Sequence, residues 1–152
     1  MRLVVVAVGR LKPGALKALE RDYAERLTTP LLIREVEERR KLPAPEMKER
    51  EGALLLAALP RGAFAVALDQ RGTALGSADF AARLAGWRQS GRAEIAFLIG
   101  GAEGLSDAVR ARADFTLSLG PMTWPHFLAR GMLLEQLYRA QQILAGHPYH
   151  RA

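Results

Sequence analysis

The chain has 152 residues, no cysteine, 49% hydrophobic residues and a formal net charge of +6, with an isoelectric point near 10.3. That length and apolar content suit one domain, 1–152, while the missing cysteines exclude disulfides, thiolate metal sites and a cysteine nucleophile. No apolar run is long enough to span a bilayer, so a cytoplasmic protein without membrane attachment is expected.

LVVVAV (3–8) is a continuous β-branched run ending at Gly9, the pattern of a strand buried on both faces. GALKALERDYAERL then aligns Leu16, Leu19, Tyr23 and Leu27 on one helical stripe and turns Lys17, Glu20, Arg21 and Glu25 away from it. LLIREV (31–36) reads as a second strand. After the charged EERRK connection, Pro43 and Pro45 open a helix through EMKEREGALLLAAL. AFAVAL (63–68), a DQRG turn, a helix capped near Ser77 and stopped at Gly91, and the strand EIAFLI (94–99) repeat the cycle. A short helix follows Ser106, FTLSL (115–119) is the fifth strand, and a long helix runs from about Pro125 to Ala145. Strands alternating with helices over short connections predict an α/β domain with a mainly parallel sheet and helices on both faces.

Ligands of such sheets bind outside the carboxyl ends of the strands, which directs attention to the loops that follow them. FLIGGAEGL places glycines at 100, 101 and 104, where backbone groups can approach a ligand. Their spacing fits neither G-x-G-x-x-G nor a P-loop, and Glu103 argues against a phosphate cradle; it suits a cationic ligand, a proton transfer or a plain strand-to-helix turn. In LGPMTWPH, Leu119, Met122 and Trp124 can wall a slot for a flat ring while the Gly-Pro turn exposes polar backbone to its edge. An ordinary loop whose Thr123 caps the next helix reads equally well. In the GHPYHRA tail, Pro148 separates His147 from His150 and only His126 remains as a third imidazole, so no metal site is expected. An Arg-His-Tyr tail suits stacking on bases and contact with phosphates. The charge excess favours a polyanionic partner through counterion release, although a composition biased to arginine would produce it too.

Taken together and in order, VVVAVGRLK, LIGGAEGL, LSLGPMTWPH, LLEQLYRA and HPYHR resemble the small SPOUT-class methyltransferases that modify a pseudouridine of bacterial 23S ribosomal RNA, the RlmH type. The resemblance covers essentially the whole chain. It implies a C-terminal trefoil knot, a homodimer and S-adenosyl-L-methionine bound by Leu68, Gly100, Leu119, Gly120, Pro121, Met122, Thr123 and Trp124. The long last helix would form much of the dimer contact and carry the tail toward the partner's site. Methyl transfer from a sulfonium to N3 of a pseudouridine requires donor and acceptor at near-attack distance and an exit for the N3 proton. His126 is the first candidate to orient or accept that proton. Tyr149, His150 and Arg151 would grip the RNA and stabilise the developing anion, and Arg10 and Lys12 would hold phosphates of 23S rRNA in the ribosome. The alternative is a ribosome- or RNA-binding module of the same fold without catalysis.

Overall fold

The computed structural model describes residues 1–151. The elements follow as β1 (Arg2–Val8), α1 (Ala15–Arg26), β2 (Leu31–Val36), α2 (Ala44–Ala58), β3 (Phe64–Ala74), α3 (Ser77–Arg88), β4 (Glu94–Ile99), α4 (Asp107–Arg112), β5 (Phe115–Ser118) and α5 (His126–Leu144). The five strands form one sheet in the order β2-β1-β4-β3-β5, and every neighbouring pair is parallel. Parallel pairing places all five carboxyl ends at one edge, where the loops of interest gather. Among the described residues no helix is long and apolar enough to cross a membrane.

The uninterrupted apolar strands are explained by two cores. Leu3, Val5 and Ala7 of β1 point to one face, where they join Phe80 and Leu84 of α3 and Leu133, Leu134 and Leu137 of α5. Val4, Val6 and Val8 point to the other and meet Leu55 of α2 and Val109 of α4. The alternation of successive side chains thus buries the whole run, each residue at 4% exposure or less. Trp87 anchors the first core, its ring 5.1 Å from Phe64 and 5.2 Å from Phe115.

The structure corrects several local expectations. DQRG does not end β3: the strand pairs with β5 up to Leu68↔Leu117, leaves the ladder, and rejoins it at Thr73↔Leu117. Residues 69–72 form an excursion, held to β5 so closely that a β-carbon on Gly72 would sit 2.6 Å from the Thr116 carbonyl oxygen. Ser77 is the first residue of α3 and makes no cap; its hydroxyl donates to Gln136 Oε1 at 2.7 Å and ties α3 to α5. Thr123 does not cap α5, whose N-cap is Pro125. Glu20, expected on the wet face of α1, is buried.

Candidate active site

The exits of β3, β4 and β5 enclose a cavity of about 700 Å³, within the range of cofactor sites. Of the residues expected to hold a cofactor, Leu68, Gly100, Leu119, Gly120, Met122, Thr123 and Trp124 line it; Pro121 is not among its walls. The 119–125 loop is built to stay open. Gly120 turns it at φ +109°, the Ser118 hydroxyl accepts from the Gly120 N–H at 3.0 Å, and the Trp124 indole donates to the Leu119 carbonyl at 3.3 Å. Thr123 reaches back to Gln70 of the β3 excursion at 3.2 Å. Met122 is left 69% exposed and Trp124 39%, an apolar rim with room for a flat ring.

The glycines after β4 serve their own turn. The Gly104 N–H donates to the Gly101 carbonyl at 3.1 Å, and a β-carbon on Gly100 would lie 3.0 Å from the Gly104 oxygen. A β-carbon on Gly101 would lie 2.9 Å from Val8 Cγ1. Close packing of the loop, with the cavity on one side, is what these positions demand.

Two charged pairs surround the cavity. Nε and Nη2 of Arg110 both stand 2.7 Å from Oδ2 of Asp69, whose Oδ1 accepts from the Arg71 N–H at 2.9 Å. Burial opposes ionisation of Asp69, but the Arg71 N–H and the Arg110 guanidinium outweigh it and hold the carboxyl below its ordinary range. Behind the glycine turn, burial and then the nearby Glu103 push Glu51 upward.

His126 is the first residue of α5 and lines the cavity. Burial and then the charge of Arg130 lower its pKa, which favours the neutral imidazole that can accept a proton. Arg10 and Lys12 are exposed on the turn after β1, beyond Gly9, on which a β-carbon would lie 3.4 Å from His126 Nε2. Arg10 stands 3.9 Å from Glu37, and the Leu11 N–H between the two cations is fastened to Glu35 at 2.8 Å.

The tail is not brought to this cavity by its own chain. The Tyr149 hydroxyl donates to Glu135 at 3.3 Å, its ring meets Tyr138 edge-on at 4.8 Å, and His150 Nδ1 lies 3.0 Å from Arg139. Burial, a hydrogen bond with Tyr23 and the Glu135 charge push the Tyr149 phenol up to about 12. These partners follow His126 by nine and thirteen residues of α5, roughly 14 to 20 Å at the rise of a helix. Arg151 is exposed.

A family model described as Predicted SPOUT methyltransferase matches residues 1–150. The chain belongs to the SPOUT methyltransferase family. Membership makes it a methyltransferase, with S-adenosyl-L-methionine as methyl donor. It is 59% identical to Ribosomal RNA large subunit methyltransferase H of Rhodospirillum centenum over the full length of both chains. It is 58% identical to the protein of the same name from Paramagnetospirillum magneticum, covering 99% of each. Among solved structures, a probable methylase family protein from Haemophilus influenzae matches at a TM-score of 0.58 and 12% identity, over 99% of this chain and 70% of that one. The SpoU methyltransferase AviRb from Streptomyces viridochromogenes, in complex with AdoMet, matches at 0.51 and 17% identity, over 95% of this chain and 58% of that one, which is therefore much the longer. Both likenesses show the SPOUT fold.

The cavity suits that donor on its own chemistry. Leu117, Leu119, Met122 and Trp124 offer apolar walls for an adenosyl group, and the 119–124 backbone offers polar groups for its edge. Sequence reasoning missed the Asp69–Arg110 pair and all of the buried network around Arg130. The one signal for the latter was a basic residue four positions after His126, inside the apolar face of α5.

Proposed function

We propose that this chain is a single-domain, cytoplasmic enzyme that methylates N3 of a pseudouridine in 23S ribosomal RNA on the assembled ribosome. The observation that carries the reading is the meeting of three strand exits and His126 in one cavity, in a chain whose full-length relatives are named for the large ribosomal subunit. When bound, the cofactor supplies an activated methyl group on a sulfonium. Leu68, Gly100 and the 119–124 loop hold it, with Pro121 shaping the turn and Met122 and Trp124 closing on the ring. His126 receives the N3 proton as the nitrogen–carbon bond forms, which keeps charge from building on the acceptor. Arg10 and Lys12, exposed on the turn after β1, bind backbone phosphates.

The tail acts in a homodimer. Tyr149 and His150 dock on α5 at Glu135 and Arg139, too far from His126 to serve the cavity of their own chain, and a partner packed on α5 would receive the 149–151 tail at its own. The resemblance also implies a trefoil knot in the C-terminal part of the chain. Mass mapping of 23S rRNA from cells with and without the gene tests the reading. Loss of one N3-methylpseudouridine is expected, and an unchanged map would refute it.

A further inference from the structure

Helix α5 carries an arginine where its neighbours are apolar. Arg130 is 1% exposed and stands between Ala129 and Gly131 on the face that carries Leu133 and Leu134. A charge this deep needs partners, and here the two Nη groups have them while Nε has none among the described residues. Nη1 lies 2.6 Å from Glu35 Oε2 and 3.7 Å from Glu20 Oε1, and Nη2 donates to the Gly9 carbonyl at 2.6 Å and the Val8 carbonyl at 3.3 Å. The same Glu35 oxygen accepts from the Leu11 N–H at 2.8 Å. One guanidinium therefore joins α5 to α1, to β2 and to the turn that leaves β1.

That turn faces the proton acceptor. A β-carbon on Gly9 would lie 3.4 Å from His126 Nε2 and 2.9 Å from Phe127 Cζ. The Arg130 guanidinium stands 5.1 Å over the Phe127 ring, and the Phe127 and His126 rings are 4.3 Å apart. Four residues separate His126 from Arg130, so the imidazole and the guanidinium share one face of the helix. Buried ion clusters are weak sources of stability, since apolar replacements often serve as well. What this cluster supplies is geometry at the turn against His126.

We propose that Arg130 is a positioning residue for methyl transfer: through Glu35 and the Val8 and Gly9 carbonyls it fixes the β1 exit against His126, and it sets a permanent positive charge one helical turn from the imidazole. The proposal rests on the reading of His126 as proton acceptor. The fixed charge disfavours imidazolium and keeps the ring ready to take a proton. The other charged groups around the cavity are Asp69 and Arg71 after β3, Glu103 after β4 and Arg110 on α4, while Arg10 and Lys12 are exposed on the turn after β1. Asp69 is engaged by Arg110, and Glu35 and Glu20 stand behind Arg130. Burial and then the Arg130 charge both lower the His126 pKa.

Side-chain NMR of the three histidines in the full chain reads the His126 titration midpoint without substrate. In R130Q that midpoint should rise by about half a pH unit or more. Its kcat below neutrality should fall about threefold for each half unit that the midpoint rises, as for an impaired general base, while KM for S-adenosyl-L-methionine stays unchanged because Arg130 does not line the cavity. R130K keeps the charge but lacks the fork that spans Glu35 and the Gly9 carbonyl, so it should hold the midpoint low and restore only part of the rate. A folded R130Q with an unmoved midpoint overturns the proposal. Should R130Q fail to fold, E35A decides the matter: it removes the carboxylate that joins Arg130 to the Leu11 N–H, so kcat should fall severalfold with KM for S-adenosyl-L-methionine unchanged, and a folded E35A with full kcat overturns the proposal. Full activity in H126N would sink the proton-acceptor reading, and the catalytic role of Arg130 with it, while the titration separately shows whether Arg130 governs the ring.

Discussion

Gly9 faces Phe127 so closely that the glycine has no room for a side chain: its β-carbon would stand 2.9 Å from the Phe127 ring and in contact with the imidazole Nε2 of His126 at 3.4 Å, at a backbone φ of +100°. Gly9→Ala must strain the turn or push α5 away, at a cost of about 1–3 kcal/mol. We expect a lower melting temperature and a reduced kcat with an unchanged dissociation constant for S-adenosyl-L-methionine, since Gly9 is not a wall of the cavity. Denaturation and isothermal titration of the same preparation check both halves.

The pH dependence follows from His126, whose folded pKa lies below its ordinary value of 6.5 through burial and the Arg130 charge. As pH falls, the unfolded chain binds this proton first. The stability the neutral ring contributes is therefore complete above about 6.5 and is lost as pH falls from there to the lowered folded value. The acid limb of the rate profile should likewise break below 6.5 in the wild type. In H126N that limb should vanish and the rate should drop about 10²–10⁴-fold, the usual worth of a positioned base.

Trp124 keeps its indole N–H on the Leu119 carbonyl and leaves its ring at the cavity rim. Trp124→Ala removes an aromatic face worth about 0.5–1.5 kcal/mol beyond its buried area. Binding of S-adenosyl-L-methionine should weaken about three- to tenfold by calorimetry, with little change in the folding of a loop that is already exposed.

Arg10 and Lys12 give a salt test. If each neutralises one phosphate of the substrate, the double variant R10A/K12A should flatten the log–log dependence of kcat/KM on salt by about 1.4–1.8. Cofactor affinity should not move. A slope equal to wild type would remove these two residues from the RNA interface.

The tail can be tested by mixing subunits. A chain truncated after His147 should bind cofactor normally yet transfer poorly. Mixed with H126N, it should regain roughly a quarter of wild-type activity, because half of the dimers are mixed and each pairs one intact His126 site with one intact tail. No recovery would mean that the tail serves its own chain.

The strands, their order in the chain and the positions of the three loops were legible in the sequence because periodicity and punctuation are local signals. LVVVAV announced a strand buried on both faces, and LGPMTWPH announced an open apolar turn. The cofactor residues were legible only through resemblance, since the glycines after β4 turn out to satisfy their own tight loop. The Glu20–Arg130–Glu35 cluster was not legible: each residue reads as an ordinary helix or strand charge, and only tertiary packing brings α1, β2 and α5 around the β1 exit. The return of β3 to β5 after the excursion was hidden for the same reason, because a DQRG turn looks identical whether or not the strand resumes.

The most direct test of the central claim is transfer of labelled methyl from S-adenosyl-L-methionine by the purified protein to ribosomes, separated subunits and bare RNA from a strain lacking the gene. Label on a single pseudouridine of 23S rRNA, with assembled ribosomes as the best substrate, is the predicted result. Ribosome binding without label on any of the substrates would contradict it and leave a binding module of the same fold.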